Sequence, residues 1–181
     1  MDLLGKRVLI LGDTGTGKTR LTKRLLIEAI EEGHSQDITV IEMAPPSIEL
    51  RGLSVGGVLL NSTPPKLRIL EGGEIKTPRL SARDGEEVLR LADYNRGVIE
   101  KLLEDFIRAP TKILFINDIS LYLQRGDLEY LWKVLQKAET VIANGYIGEK
   151  LKDDLGTGLS AREGQLIEML ASRTDVVIRF Q

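Results

Sequence analysis

The sequence predicts an α/β protein with an open, mostly parallel sheet of about five strands and helices on both faces. Two observations support this class. Short apolar runs alternate with segments whose apolar residues recur at helical spacing, and a glycine-rich loop joins the first run to the first helical segment. Alternation favours parallel pairing, because the crossover between parallel strands is usually a helix. The predicted strands cover residues 7–11, 38–43, 112–116, 140–143 and 175–180.

The composition is ordinary for a globular protein, with 42% hydrophobic and 29% charged side chains among 181 residues. At this length we expect one compact domain over residues 1–181. The formal net charge of -2 creates no global field that would attract nucleic acid or anionic lipid. Without cysteine, and with His34 alone, the chain has no disulfide framework, thiol nucleophile or usual zinc site.

The N-terminal segment does not resemble a secretory signal or a membrane span, since the glycine-rich loop interrupts its first apolar run. We therefore expect a cytoplasmic protein with no membrane partner. Few Gln and Asn residues beside abundant Lys, Arg and Glu suggest a thermophilic source. We detect no internal repeat and no low-complexity tract.

Apolar periodicity and capping residues predict four helices. Asp84 and Glu87 have the spacing of a capping box, and so do Ser160 and Glu163. Asp127 is a further candidate N-cap. The predicted helices cover residues 18–32, 84–109, 127–135 and 160–171.

The segment 44–80 interrupts this alternation, because it holds five of the six prolines and several glycines. Gly72 and Gly73 can both adopt positive φ, which suits the two-residue turn of a β-hairpin. We therefore expect a hairpin or flap inserted into the domain at about 44–80.

The loop after the first strand satisfies the pattern G-x-x-x-x-G-K-[S/T] between a strand and a helix. Its glycines allow successive N–H groups to face phosphate oxygens at the helix N-terminus. In this pattern Lys18 reaches the β- and γ-phosphates, and the Thr19 hydroxyl binds Mg²⁺. The sequence therefore predicts a site for a nucleoside triphosphate, with ATP and Mg²⁺ favoured. The predicted binding residues are Gly12, Asp13, Thr14, Gly15, Thr16, Gly17, Lys18, Thr19 and Arg20.

This loop resembles the Walker A motif of the P-loop NTPase superfamily, and residues 113–118, Ile-Leu-Phe-Ile-Asn-Asp, resemble its Walker B motif. The resemblance implies a three-layer P-loop NTPase fold with an acidic residue, here Asp118, that holds magnesium or positions water. Many ATPases of this superfamily carry Asp-Glu where this chain has Asn-Asp, so two alignments stay open. Asp118 either binds Mg²⁺ with Thr19, or activates water while Asn117 occupies the metal position.

Asn144 ends the fourth strand and resembles the polar sensor that RecA-like ATPases place near the γ-phosphate. It can equally begin a turn with Gly145. With Lys18 and Asp118 it completes the predicted catalytic set. A transferred γ-phosphate also favours an arginine, and the candidates are Arg162, Arg79, Arg83 and Arg125.

ATP is favoured over GTP because neither Asn-Lys-x-Asp nor Asp-x-x-Gly occurs where GTPases carry these motifs. The later elements are similar to those of small RecA-like archaeal NTPases and of ATP:corrinoid adenosyltransferases, although loop 12–19 departs from the lysine-rich loop of the latter. Strand order separates the branches. A strand between those of Gly12 and Asp118 is expected for the RecA-like branch, and direct adjacency for the kinase and GTPase branch.

Three functions follow from these features. The first is a Mg-dependent ATPase of the RecA-like branch, in which segment 44–80 transmits the nucleotide state. The second is a small-molecule or nucleotide kinase, in which that segment or loop 145–160 closes over an acceptor. The third is a nucleotide-dependent binding module for a protein or, less favoured, a nucleic acid. Its basic residues would be Lys66, Arg68, Lys76, Arg79 and Arg83, which Glu71 and Glu74 dilute.

Overall fold

A computed structural model describes residues 2–62, 64 and 66–181, and its main feature is a six-stranded sheet in which all strand pairs are parallel. In the described part of the chain the strands are β1 (Arg7–Gly12), β2 (Ile38–Glu42), β3 (Ile48–Leu50), β4 (Leu53–Val55), β5 (Arg68–Leu70), β6 (Ile113–Asn117), β7 (Thr140–Tyr146) and β8 (Val176–Arg179). The strand order across the main sheet is β5-β2-β6-β7-β1-β8. The structure confirms the predicted α/β class.

Helices cover both faces of the sheet. In the described part of the chain they are α1 (Lys18–Glu31), α2 (Pro78–Ser81), α3 (Gly85–Arg108), α4 (Ser120–Leu123), α5 (Leu128–Leu135) and α6 (Leu159–Ala171), with a 3₁₀ turn at Ser35–Asp37. Along β1, Val8 and Ile10 pack in a core with α1, whereas Leu9 and Leu11 pack in a second core with α3, α5 and α6. This alternation follows from the two-residue period of a strand.

The predicted hairpin at Gly72 and Gly73 is wrong. The apolar run before these glycines, expected as one arm of that hairpin, forms β5, which pairs in parallel with β2 and adds a sixth strand at the edge of the main sheet. The glycines instead pass close to α3, because a Cβ on Gly73 would lie 3.1 Å from Val98. Asn95 of α3 then holds the following segment by bonding the N–H and the carbonyl of Lys76.

The hairpin of segment 44–80 lies earlier in the chain and is formed by β3 and β4. Its turn residues Arg51 and Gly52 have φ of 52° and 75°. Positive φ at both positions is the requirement of a two-residue type I′ turn. A Cβ on Gly56 would lie 2.5 Å from the carbonyl oxygen of Pro45, so only glycine lets the hairpin return onto the chain that enters it.

Of the three predicted side-chain caps, the structure confirms two. Asp84 caps α3 and Asp127 caps α5 through bonds from the amides of Glu87 and Tyr130, at 2.8 and 2.6 Å. The capping box at Ser160 is wrong, because α6 begins one residue earlier, at Leu159, after Gly158 in the left-handed conformation.

Strand order places β7 between β1, which carries the glycine-rich loop, and β6, which ends in Asn117. The carboxyl ends of all three strands therefore meet at one edge of the sheet, where α/β proteins bind ligands. Within residues 2–62, 64 and 66–181, none of the helices combines the length and apolar character needed to span a bilayer.

Candidate functional site

The glycine-rich loop turns sharply from β1 into α1. Gly15 and Gly17 have φ of 77° and 101°, values that residues with a side chain rarely adopt. A Cβ on Gly12 would lie 2.8 Å from Thr16 Oγ1 and 2.9 Å from Phe180 Cβ. The Thr16 hydroxyl donates to the carbonyl of residue 13 at 2.8 Å, which closes the loop. The glycine pattern is therefore required by backbone conformation and by space.

Asp13 connects this loop to the segment that follows β7. Its carboxylate accepts bonds from the amides of Thr14, Glu149 and Lys150 at 2.6, 3.0 and 3.2 Å. A Cβ on Gly148 would lie 2.3 Å from the Asp13 carboxyl carbon, so glycine is needed there. Partial burial opposes ionisation of Asp13, but the bonds from the Glu149 and Thr14 amides outweigh it and lower its pKa.

The N-terminus of α1 is open to an anion. Gly17 is the N-cap residue and has no side chain, and among the described residues no side chain accepts a bond from the amides of residues 15–19. The Lys18 ammonium lies across the loop and donates to the carbonyl of Asp13 at 2.8 Å. Burial lowers the pKa of Lys18, and the carboxylates of Asp118 and Asp13 oppose that shift. Free amides and an ammonium group together favour a phosphate group here.

A cavity of about 380 Å³ opens in front of this loop at the carboxyl edge of the sheet. The hairpin and α2 contribute to its walls, through residues such as Val55 and Arg79. Asn117, Asp118 and Asn144 line it from the ends of β6 and β7. Of the predicted loop residues, Gly12, Asp13 and Thr16 do not line the cavity, and the other six do: Thr14, Gly15, Gly17, Lys18, Thr19 and Arg20.

Asp118 follows β6 with a φ of 59°, an uncommon conformation for a residue with a side chain and one that is frequent at functional sites. Its amide donates to Asn144 Oδ1 at 2.9 Å, and its carboxylate accepts a bond from the Ser120 hydroxyl. Burial raises the pKa of Asp118, while the Ser120 bond and the positive charges of Lys18 and Arg79 oppose this shift.

A chain of buried polar contacts crosses the ends of three strands behind the cavity. Asn144 Nδ2 donates to Thr22 Oγ1 and to Asn117 Oδ1, both at 3.0 Å. Asn117 Nδ2 donates to Glu42 Oε2 at 2.9 Å and to the Gly57 carbonyl at 2.7 Å. Both polar atoms of the Asn117 side chain are thus engaged within the protein. Among the described residues that line the cavity, Asp118 is the one that carries a carboxylate.

The sequence analysis missed Glu42, which contacts Asn117 beside the candidate site. It ends β2, is buried, and accepts a bond from the Leu59 amide at 3.0 Å. Burial raises the pKa of Glu42, and bonds from Asn117 and Leu59 oppose the shift. The sequence held a signal, because Glu42 is a polar residue that ends an apolar strand, the same feature that identified Asp118.

The four candidate arginines have different environments. Arg162 donates to the Gly126 carbonyl at 2.7 Å, Arg125 pairs with Asp93, and Arg83 is exposed beside Glu87. Arg79 alone of the four lines the cavity.

Arg79 belongs to a buried cluster with Glu163, Ser160, Gln124 and Tyr146. Its guanidinium donates to both carboxylate oxygens of Glu163 at 2.9 and 3.3 Å and to Ser160 Oγ at 3.0 Å, and it lies 5.1 Å from the centre of the Tyr146 ring. Gln124 Nε2 also donates to Glu163, at 2.7 Å. Burial raises the pKa of Glu163 to about 7, although Arg79 and Gln124 favour its charged form. Glu163 therefore serves this cluster and not a helix cap.

The structure also shows a short repeat that the sequence analysis overlooked. Residues 13–19, Asp-Thr-Gly-Thr-Gly-Lys-Thr, and residues 154–160, Asp-Leu-Gly-Thr-Gly-Leu-Ser, share one pattern, and each leads into a helix through a left-handed glycine. In the second loop the Asp154 carboxylate accepts a bond from the Ser160 amide at 2.9 Å. The self-comparison of seven-residue windows would have found this repeat.

The basic stretch proposed for a macromolecular partner is largely engaged within the protein. Arg68 donates to the carbonyls of Asp105 and Ala109, and Lys76 pairs with Glu74 at 2.7 Å. Arg79 is buried, as described above.

No family model matches the sequence, and no curated protein matches it. Among solved structures, the crystal structure of flagellar accessory protein FlaH from Methanocaldococcus jannaschii is similar, with a TM-score of 0.52 and 13% identity over 97% of this chain and 71% of that one. An ATPase from the type III secretion system of pathogenic bacteria gives a TM-score of 0.42 and 16% identity over 98% of this chain and 51% of that one. The chain therefore shares its α/β fold with the FlaH structure.

Proposed function

We propose that the chain binds ATP with Mg²⁺ at residues 12–20 and hydrolyses it as an ATPase of the RecA-like branch. One observation carries this proposal: Lys18, Thr19 and Asp118 line a single cavity at the open N-terminus of α1. Anion-binding amides, a lysine, a hydroxyl and a carboxylate are the groups that P-loop NTPases use for phosphates and magnesium.

The strand order supports the RecA-like branch. β7 lies between β1 and β6, so the strand that precedes the glycine-rich loop is not adjacent to the strand that ends before Asp118. This is the arrangement that we expect for that branch.

The contacts suggest a role for each polar residue. The amides of the loop and Lys18 would hold the phosphates, while Thr19 and Asp118 would bind Mg²⁺, which commonly takes one or two protein oxygens with phosphate oxygens. Because Asn117 is fully bonded, it would not replace Asp118 at the metal. Asn144 bonds Asp118, Thr22 and Asn117 at once, so we assign it to positioning.

Phosphotransfer to a small acceptor is the second candidate, and the cavity wall favours it. The hairpin and α2 place apolar residues such as Val55 and Leu80 beside the same cavity. Phosphate binding does not require such residues, whereas an acceptor held away from water would use them.

Nucleotide-dependent stabilisation tests the binding site. With ATP and Mg²⁺ at a hundred times the dissociation constant, the free energy of unfolding should rise by about 2.7 kcal/mol. Lys18→Ala should abolish this increase, and chelation of Mg²⁺ should reduce it. Lys101→Ala, on the exposed surface of α3, is the matched control and should behave like the wild type. Equal stabilisation of Lys18→Ala and wild type would refute the site.

Phosphate release separates the two reactions. Release from ATP and water alone, lost in Asp118→Asn, supports the ATPase. Release that requires an added acceptor supports the phosphotransferase and excludes simple hydrolysis as the main activity.

A further inference from the structure

Arg79 forms part of the boundary between two cavities. It lines the cavity in front of the glycine-rich loop, and it also lines a neighbouring cavity of about 420 Å³ beside the N-terminus of α6. Its side chain comes from α2, a four-residue helix in the segment that joins β5 to α3. Lys18 and Arg20, the other cationic side chains of the first cavity, both belong to α1.

The guanidinium of Arg79 is held by groups that can release it. Its partners are the Glu163 carboxylate and the Ser160 hydroxyl, and no backbone carbonyl accepts from it within the described residues. Its charge already acts on the first cavity, because it favours the ionised form of Asp118. Arg79 therefore lies between the Glu163 carboxylate and the cavity that Lys18 and Asp118 line, where the proposed function would place the phosphates.

We propose that the terminal phosphate of a bound triphosphate draws the Arg79 guanidinium away from Glu163, so that Arg79 becomes a cation on the γ-phosphate supplied by the same chain. This inference rests on the proposed function. A phosphate presents more charge and more acceptor oxygens than a carboxylate, and a guanidinium binds phosphate in a bidentate manner. A diphosphate lacks the group that would recruit Arg79, so the exchange would distinguish ATP from ADP.

The cluster can accommodate the loss of its cation. Two side chains donate hydrogen bonds to Glu163: Arg79, which belongs to α2, and Gln124, which follows α4. Ser160 lies in the same helix as Glu163 and contacts Arg79, and the negative charge of Asp118 also acts on Glu163. A buried carboxylate that loses its only paired cation takes up a proton from solvent. Gln124 Oε1 is buried and has no hydrogen-bond partner among the described residues. After rotation of the amide, this oxygen can accept the bond from protonated Glu163.

The first test compares ATP and ADP affinities by calorimetry. Glu163→Gln removes the carboxylate that competes for Arg79 and preserves the shape of the side chain. ATP affinity should rise about tenfold, as expected when one charge-assisted hydrogen bond need not be broken, while ADP affinity stays unchanged. A purely structural ion pair would instead change both affinities together, and that result would overturn the proposal.

Proton uptake is the second readout. At pH 8, ATP binding in buffers of different ionisation enthalpy should show uptake of about one proton by the wild type and none by Glu163→Gln. ADP binding should show none in either protein. Equal uptake in both proteins would contradict the exchange.

A charge-neutral variant avoids the problem of an unpaired buried charge. Arg79→Gln combined with Glu163→Gln should keep the fold and lower the preference for ATP over ADP about tenfold, while Lys18 keeps its own contact with the γ-phosphate. Arg125→Gln combined with Asp93→Asn, which neutralises an ion pair outside the cavity, is the control and should keep the ATP preference. If the wild type binds ATP and the Arg79 variant retains the preference, the Arg79 inference fails alone. If the wild type binds neither nucleotide, the proposed function fails.

Discussion

The two glycine loops at residues 13–19 and 154–160 share left-handed glycines at equivalent positions, yet they present different groups at the helix that follows. Each begins with an aspartate whose carbonyl accepts a bond from a threonine hydroxyl, Thr16 or Thr157, at 2.8 and 2.9 Å. Each ends in a left-handed glycine that starts a helix, and the carbonyl of that glycine accepts the first helical bond at 3.0 Å.

The two loops differ in the direction of the aspartate and at three sequence positions, of which only the pair Lys18 and Leu159 differs in charge. Asp13 faces away from α1 and bonds residues 149–150, whereas Asp154 bonds the Ser160 amide and so places its own negative charge at the start of α6. The first loop carries Lys18 where the second carries Leu159, which is buried. One helix N-terminus is thus open to an external anion, and the other is already neutralised from within. A glycine pattern alone does not create a phosphate site.

The largest effect is expected from giving the second loop the lysine of the first. Leu159→Lys places an ammonium group in an apolar cluster with Ala82, Val88 and Ala92. The free energy of unfolding should fall by about 3 kcal/mol or more, since burial of an unpaired charge costs several kcal/mol. Urea denaturation measures this, with Leu159→Met as a control that should cost less than about 1.5 kcal/mol. No second nucleotide site should appear in calorimetry, and its appearance would show that the lysine alone decides the function of the loop.

The free energy of unfolding should depend on pH through a residue of α6, the helix after the second loop, that has no titratable equivalent in α1. Glu163 has the position in α6 that Thr22 has in α1, and burial raises the pKa of Glu163 to about 7. Between about pH 4.5 and 7 the folded state therefore holds a proton that the unfolded state releases. The free energy of unfolding should fall as pH rises through this window, by at most about 1.4 kcal/mol per pH unit from this group. Glu163→Gln should remove that contribution, and the exposed control Glu139→Gln should retain it. Parallel stability curves for wild type and Glu163→Gln would contradict the assignment.

The smallest effect is expected from the two aspartates. Asp154→Ala removes a cap and should lower the free energy of unfolding by about 1 kcal/mol without changing ATP affinity. Asp13→Ala should have a similar cost in stability, but it also releases residues 149–150 from loop 12–19 and, under the proposed function, should weaken ATP binding. Chemical denaturation with ATP titration compares both variants. Equal ATP affinities in the two variants would show that the direction of the aspartate has no functional consequence.

Local patterns were sufficient to predict much of the fold. Strand alternation, the loop at 12–19 and the caps at Asp84 and Asp127 depend on contacts between neighbours in the chain, so the sequence carries them directly. Gly72 and Gly73 misled the prediction because glycines that permit a turn equally permit close packing against a helix. The turn at Arg51 and Gly52 was missed because arginine rarely adopts positive φ.

The rest of the candidate site depends on contacts between distant residues. Ser160 and Glu163 have the spacing of a capping box, yet Arg79, 84 positions from Glu163, binds that carboxylate instead. Strand order likewise follows from tertiary packing, and β5 has only three residues. The roles proposed for Lys18, Thr19 and Asp118 remain predictions that the nucleotide experiments test.

The polar contacts from Thr22 to Glu42 also constrain how this protein can change. Hydrogen bonds join the neighbouring members of one buried series, which runs from Thr22 through Asn144 and Asn117 to Glu42. An apolar substitution at one position therefore leaves a buried polar group of its neighbour without a hydrogen-bond partner. The losses in the free energy of unfolding should be non-additive, because a second substitution in this series removes a polar group that the first substitution had already left without a partner. Natural relatives of this protein should therefore vary at these positions jointly, as pairs or as the whole set.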